Sequence, residues 1–314
     1  MIDRPRVLLG LDIHEDALAR LREVADVDIV PSHTFQDGEY LRNMIGAYDG
    51  VLHNVPRFDR EILSEAHRLK VVSCHNAREI DLDAASEHGI HVTLTPALWE
   101  TVADMTVALM LAAARMIPQA HIYVKNRMWK HTSDRMLFSG TSLFRKTLGI
   151  VGLGHIGGIV AKRVKGFDMK VLYYDVVRHT ELESELSLEY RPLTQLMAEA
   201  DFVSIHVPLN DETRGLIGER DLRLMRERAI LVNTSRGPIV DEEALCLTLR
   251  EKRIAAAGLD VFGEEPLKPE SPFLRLDNVV LAPHIAGSTR DCDMQAVENV
   301  IVILRGGVSA CQVV

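Results

Sequence analysis

The sequence predicts an α/β architecture of two lobes, each built on a doubly wound parallel sheet. Three observations carry this expectation: a length of 314 residues, short β-branched runs alternating with helical patterns, and a second, more regular series of such runs from residue 148 onward. A chain of this length exceeds the commonest domain size and can bury two cores. Strands that alternate with helices imply parallel sheets with crossover connections.

The first series reads Val7-Leu8-Leu9, a helical stretch over 15–23, Val27-Asp28-Ile29-Val30, Val51-Leu52 and Val71-Val72-Ser73. The second opens with Leu148-Gly149-Ile150-Val151-Gly152 and continues through 170–174, 202–205, 230–233, 255–259 and 279–281. Between them lie a long helical stretch over 100–116 and a polar, irregular segment over 126–140, read as a hinge. The only two tryptophans, Trp99 and Trp129, fall near it. Two roles stand for them: capping an active site, or ordinary packing at the hinge or a subunit contact. No short tandem repeat or low-complexity tract is present.

Hydrophobic residues make up 47% and charged residues 26%, the balance of a packed globular chain rather than a disordered one. A formal charge of −9 offers no basic field for phosphate backbones, which argues against nucleic acid as a partner. Cys74, Cys246, Cys292 and Cys311 are scattered without metal-ligand spacing, which fits reduced thiols, no metal site and a cytoplasmic location. The apolar run 106–114 is bounded by Asp104 and Arg115 and falls well short of the roughly 20 residues that span a bilayer. A buried helix is expected there, and no membrane partner. The first residues run straight into a short strand and lack the long apolar core of a secretion signal.

Gly152-Leu153-Gly154-His155-Ile156-Gly157 follows an apolar strand directly and opens a helix-compatible stretch. In that context the first glycine permits the tight turn, the second lets backbone approach a pyrophosphate, and the third lets the helix pack on the strand. The free N–H groups of the helix start then face the phosphates. Asp175 closes the next strand, where an acid can accept hydrogen bonds from both ribose hydroxyls and repel an extra phosphate. NAD is therefore expected, with NADP the less fitting cofactor. Arg178 has two readings: accommodating a 2′-phosphate, or a solvated side chain.

Five ordered blocks complete the pattern: 146–154 around the glycines, His206-Val207-Pro208-Leu209 with Thr213, Asn233-Thr234-Ser235-Arg236-Gly237 with Val240-Asp241, Leu259-Asp260-Val261-Phe262 with Glu265-Pro266, and Pro283-His284-Ile285-Ala286-Gly287. Together they resemble the D-isomer-specific 2-hydroxyacid dehydrogenase family over nearly the whole chain. The resemblance implies a Rossmann NAD-binding domain, 100–287, inserted in a flavodoxin-like substrate-binding domain, 1–99 with 288–314. It implies hydride transfer between nicotinamide and the 2-carbon of a small D-2-hydroxy or 2-keto acid, with Arg236, Glu265 and His284 as the catalytic trio. Chemistry asks for those types. Histidine can hold the carbonyl's proton near neutral pH, a carboxylate on its other nitrogen orients the ring, and an arginine fork suits the substrate's oxygens. The same resemblance implies a homodimer, a contact from Asp260 to the nicotinamide carboxamide, and cofactor contacts from His155, Ile156, Val207, Pro208, Thr213, Thr234, Ser235 and Gly287, with Arg236 and His284 also touching the cofactor. His206, at a strand end, is equally a hydrogen-bonded structural residue.

The chain departs from the family in the loop after 71–73, where glycines usually receive the substrate carboxylate. Here it reads Cys74-His75-Asn76-Ala77-Arg78-Glu79. Its position still implies substrate contact by His75, Asn76, Ala77 and Arg78, together with Arg236 and His284. Asn76 tolerates left-handed backbone and can keep the turn without glycine. Arg78 either recognises a second acidic substituent or pairs with Glu79 or Asp81. His155 replaces the usual arginine after the second glycine. An alternative to turnover is an NAD-sensing protein akin to transcriptional co-repressors, and a second alternative keeps the enzyme but changes the donor to formate or phosphite.

Overall fold

The computed structural model describes residues 4–314. The chain forms two compact units, one that runs to Leu98 and resumes over Gly287–Val314, and one over Trp99–Ala286.

In the first unit the strands are β1 (Arg6–Leu9), β2 (Asp26–Ile29), β3 (Gly50–His53), β4 (Val71–Cys74) and β5 (His91–Leu94), and the helices are α1 (Glu15–Arg22), α2 (Gly38–Met44), α3 (Arg60–Glu65) and α4 (Leu82–Glu87). All strands pair in parallel, in the order β2-β1-β3-β4-β5. Alternate side chains serve opposite layers, as a two-sided sheet requires. Leu8, Val51, Val72 and Val92 face Phe35, Phe58 and Ile62, whereas Val7, Leu9, Leu52 and Val71 face Leu18 and Leu21 of α1. Aspartates start three of the helices: Asp37, Asp59 and Asp81 accept the N–H of Tyr40, Ile62 and Ala84.

The second unit begins with α5 (Ala97–Ala114) and α6 (Ile117–Lys125), separated by Met116 in the left-handed region. By length and composition α5 could cross a membrane, yet its Ala103, Leu109, Met110 and Ala113 pack with Leu148 and Ile150 of the sheet. A short 3₁₀ turn at Thr132–Phe138 orders part of the segment expected to be irregular, with Asp134 accepting the N–H groups of Lys130 and His131. Then come β6 (Thr147–Val151), α7 (His155–Val164), β7 (Lys170–Tyr174), α8 (Thr180–Leu186), β8 (Glu189–Tyr190), α9 (Leu193–Glu199), β9 (Phe202–Ile205), α10 (Glu219–Leu222), β10 (Ile230–Asn233), α11 (Glu242–Arg250), β11 (Ala256–Leu259) and β12 (Val279–Leu281). The seven strands are parallel in the order β12-β11-β10-β9-β6-β7-β8. Strand order reverses between β6 and β9, which opens a crevice at their C-terminal ends where ligands of such sheets bind. The chain then returns to the first unit as α12 (Arg290–Leu304), whose Ala296, Val297 and Val300 cover the face shared with α1.

The doubly wound α/β fold expected from the sequence is present in both units. Two edge strands, β5 and β8, complete the sheets beyond the runs that the sequence singles out. The loops after β10 and β11 meet with almost no space between them: a Cβ built on Gly237 would lie 1.9 Å from the carbonyl carbon of Phe262. Backbone cannot yield as a flexible side chain does. Gly237→Ala is therefore expected to lower the unfolding free energy by about 2–3 kcal/mol, measured as a reduced denaturant midpoint; an unchanged midpoint would show that the two loops separate freely.

Candidate active site

The glycine-rich turn after β6 shows three different requirements. Gly152 has φ +97°, and a Cβ there would lie 2.7 Å from Val207 N. A Cβ on Gly157 would lie 2.2 Å from the Gly152 carbonyl oxygen, so glycine lets α7 start tight against the turn. Gly154 instead faces open space, with nothing within 4 Å of an added Cβ, and no side chain caps the start of α7. Open room over uncapped N–H groups is what a pyrophosphate needs. These residues fit a dinucleotide. His155, first in α7, is exposed and stacks on Trp99 with ring centroids 4.0 Å apart and planes 1° from parallel. Ile156 is half-buried and packs into the core beside β6.

Asp175 follows β7. One carboxylate oxygen accepts the Leu153 N–H at 2.7 Å and lies 3.7 Å from His179 Nε2, while the other accepts the Val177 N–H at 3.2 Å. The acid thus ties its strand to the glycine turn. Arg178 is held by Glu183 through two bonds of 2.8 and 3.0 Å.

The ends of β9 and β10 are braced to each other. Ser235 Oγ donates to the Val207 carbonyl at 2.5 Å, and Thr213 Oγ1 donates to that of Pro208 at 2.6 Å. The Thr234 hydroxyl turns inward to Thr106 Oγ1 at 2.8 Å. His206 Nε2 lies 2.6 Å from Ser204 Oγ, and desolvation pushes its pKa down to about 3, so it is a neutral, hydrogen-bonded structural residue.

Arg236 is exposed at the end of the β10 loop. Buried Asn233 shapes that loop by accepting the Ser235 N–H and donating to the Arg236 carbonyl, each at 3.0 Å. Across the Gly237 contact, Glu265 accepts the Phe262 N–H at 2.9 Å through Oε1 and meets His284 Nδ1 at 2.6 Å through Oε2. The histidine's other nitrogen is left for chemistry. His284 itself sits at φ +54°, an uncommon conformation for a residue with a Cβ.

Asp260 holds that conformation. Its backbone carbonyl accepts the His284 N–H at 2.9 Å, and its carboxylate accepts those of Ile285 and Ala286 at 2.8 Å each. The side chain is fully buried, and burial raises its pKa against the lowering effect of the two N–H bonds. The Asp260 carboxylate thus holds the backbone of the histidine turn. Gly287 belongs to the first unit, where a Cβ would lie 2.4 Å from Leu98 Cδ1.

The loop after β4 is held in the first unit by the Asn54 carbonyl, which accepts the N–H groups of His75 and Asn76 at 3.0 Å. Asn76 is not left-handed, contrary to expectation; its side chain accepts the Arg78 N–H at 2.8 Å and so closes the turn another way. Ala77 is half-buried and Arg78 is exposed, while Asp81 caps α4 and pairs with Arg60 rather than Arg78. His75 Nε2 lies 3.7 Å from the thiol of Cys292, and burial lowers its pKa. Sequence reasoning passed over two residues of the second unit. Asn233 was visible as a polar side chain closing an apolar strand, and Glu242, which accepts the Gly263 N–H at 2.7 Å, follows the α11 cap without any local signal.

Fold and site define a class: an NAD(P)-dependent oxidoreductase that moves a hydride to or from small 2-hydroxy and 2-keto acids. Residues 107–286 match the model of the D-isomer specific 2-hydroxyacid dehydrogenase, NAD binding domain. A glyoxylate reductase of Korarchaeum cryptofilum is 42% identical over 312 residues, which cover 96% of this chain and 94% of that one. The crystal structure of the TT0316 protein from Thermus thermophilus is 38% identical with a TM-score of 0.80, over 98% of this chain and all of that one (100%). The chain belongs to the D-isomer specific 2-hydroxyacid dehydrogenase family.

One expectation is overturned here. A similar solved structure, 27% identical with a TM-score of 0.75 over 99% of this chain and 97% of that one, is the NADPH-dependent glyoxylate/hydroxypyruvate reductase of Sinorhizobium meliloti with NADP and malonate. NADP is no less fitting than NAD in this family. The physical reason lies at Asp175, whose two oxygens each already accept a backbone N–H, so the repulsion argued from a bare carboxylate does not decide the matter. Gly154→Ala is expected to fold with an unchanged melting temperature yet bind NADH and NADPH at least about tenfold more weakly, measured by cofactor fluorescence; undiminished binding would remove the phosphates from this turn.

Proposed function

We propose that the chain reduces small 2-keto acids of the glyoxylate and hydroxypyruvate kind, using NADH or NADPH. His284 is the proton donor, Glu265 orients it, and Arg236 binds the substrate carboxylate and polarises its carbonyl. The observation that carries this reading is the 2.6 Å contact of His284 Nδ1 with Glu265, which leaves Nε2 to exchange the proton. The nicotinamide, when bound, supplies the hydride for C2. The proton for the carbonyl oxygen leaves His284 Nε2, and the charged imidazole returns to its neutral form; oxidation of the hydroxy acid runs the same steps backward. Gly152, Gly154, His155, Ile156 and Gly157 hold the pyrophosphate, Asp175 the adenosine ribose, and Val207, Pro208, Thr213 and the backbone of Thr234 and Ser235 line the remainder. In this reading Trp99–Ala286 is the cofactor domain, and His75, Asn76, Ala77 and Arg78 are candidate substrate contacts. The scattered free thiols fit the cytoplasm.

A homodimer belongs to the same proposal. Helix α6 buries none of its residues, and Ile117, Ile122, Val124, Met128, Trp129, Met136 and Leu137 are all exposed on it and the segment that follows. An apolar surface of this extent marks an interaction site, and a second copy is the partner the proposal commits to.

Reduction of glyoxylate, hydroxypyruvate and pyruvate by either cofactor should be visible as loss of reduced-nicotinamide absorbance, and His284→Ala should lower kcat by about 10²–10⁴-fold. Retained turnover in that variant would remove His284 from the proposed role, whereas tight cofactor binding without turnover on any keto acid would favour a sensing protein. Ile122→Asp is expected to convert a dimer into a monomer in sedimentation velocity with the fold intact by circular dichroism; an unchanged sedimentation coefficient would show that α6 is not the contact.

A further inference from the structure

The turn that carries Glu265 is held by a second carboxylate. Phe262 and Gly263 present successive N–H groups, and these go to different acids: Phe262 to Glu265 at 2.9 Å, Gly263 to Glu242 Oε1 at 2.7 Å. Glu242 lies flat against the turn, since a Cβ on Gly263 would stand 3.0 Å from its Oε2. It is the first residue of α11, whose start is already capped by Asp241 through the Ala244 N–H at 3.0 Å, so the helix does not need it as a cap.

We propose that Glu242 is a positioning residue for the proton-transfer pair: it clamps the 262–265 turn through the Gly263 N–H, and its negative charge, beside that of Glu265, stabilises the proton on His284. A glutamine oxygen could accept the same N–H without placing a like charge beside Glu265. What the carboxylate adds is charge, set on the same turn whose Glu265 meets His284 Nδ1 at 2.6 Å. Burial raises the Glu242 pKa against the lowering effect of the Gly263 N–H, and Glu265 adds to the rise, which is the electrostatic cost of this placement. Next to it along the chain stand Asp241, the cap of α11, and Glu243; one turn on is Cys246, whose thiol is pushed up by burial and by Glu242, and Glu264 and Glu265 lie on the turn that Glu242 clamps.

This inference rests on the role of His284 proposed above, and the two are separable by measuring the His284 imidazole ionisation directly, by nitrogen-15 NMR of the cofactor-free protein. In Glu242→Gln the His284 ionisation is expected to fall by about half a pH unit, with the matching limb of the kcat/KM profile moving with it and kcat at the optimum kept within about threefold. Glu242→Ala loses the acceptor as well, and should show the same shift together with a loss of kcat of about tenfold or more while cofactor Kd and melting temperature hold. A His284 titration identical in wild type and Glu242→Gln overturns the proposal, as does an alanine variant with unchanged kcat. Losses of stability and cofactor affinity in step with activity would overturn it too, because they belong to a brace of the fold. Should the wild type turn over no 2-keto acid, the functional reading fails while the NMR titration still decides the case for Glu242.

Discussion

The buried carboxylate of Asp260 is the constraint on which the site depends. A short loop leaving β12 has to present a histidine in a left-handed conformation, which a side chain with a Cβ adopts only when its surroundings impose it. Asp260 imposes it with three bonds at once, one from its backbone carbonyl and two from its carboxylate to the N–H groups of Ile285 and Ala286. An acid without exposed surface is costly to keep charged, and the two N–H donors offset that cost. Their geometry fixes the backbone that carries His284, and Glu265 meets the ring at 2.6 Å.

Precision at His284 has value only if Arg236 and Glu265 are placed to the same tolerance, and the sheet supplies this through adjacency. The three residues follow β10, β11 and β12, which are neighbours in one parallel sheet. The missing side chain of Gly237 lets the first two loops touch backbone to backbone. Asn233 and Glu242 then hold the two loops by accepting the N–H groups of Ser235 and Gly263. Glu265 and His284, far apart in sequence, are thus joined by their own 2.6 Å contact and backed by the bonds of Glu242 and Asp260 to the backbone around them.

Much of this was legible in the residues. The strands of the second unit were marked by apolar runs such as 230–232 and Val279–Leu281, because a parallel sheet covered on both faces has few polar positions to break the pattern. Edge strands carry less of that signal: β8 is two residues long and begins with Glu189, and β5 pairs on one side with β4 and begins with His91. The family was legible because five blocks kept their order. Which groups hold the site residues was not, since Asp260 and Glu242 act through backbone N–H groups that sequence displays at every position alike.

Asp175 shows why residue type alone misjudges charge. An acid at the end of β7 invites an argument from repulsion, and that argument assumes a free charge aimed at the ligand. Folding instead gives each oxygen an N–H partner and brings His179 close, so part of the negative potential is spent within the protein. Asn76 failed for a related reason: its residue type allowed a left-handed turn, but its side-chain oxygen found the Arg78 N–H and closed the loop in ordinary backbone. In both cases the residue does what its chemistry permits, and its neighbours choose which of the permitted things it does.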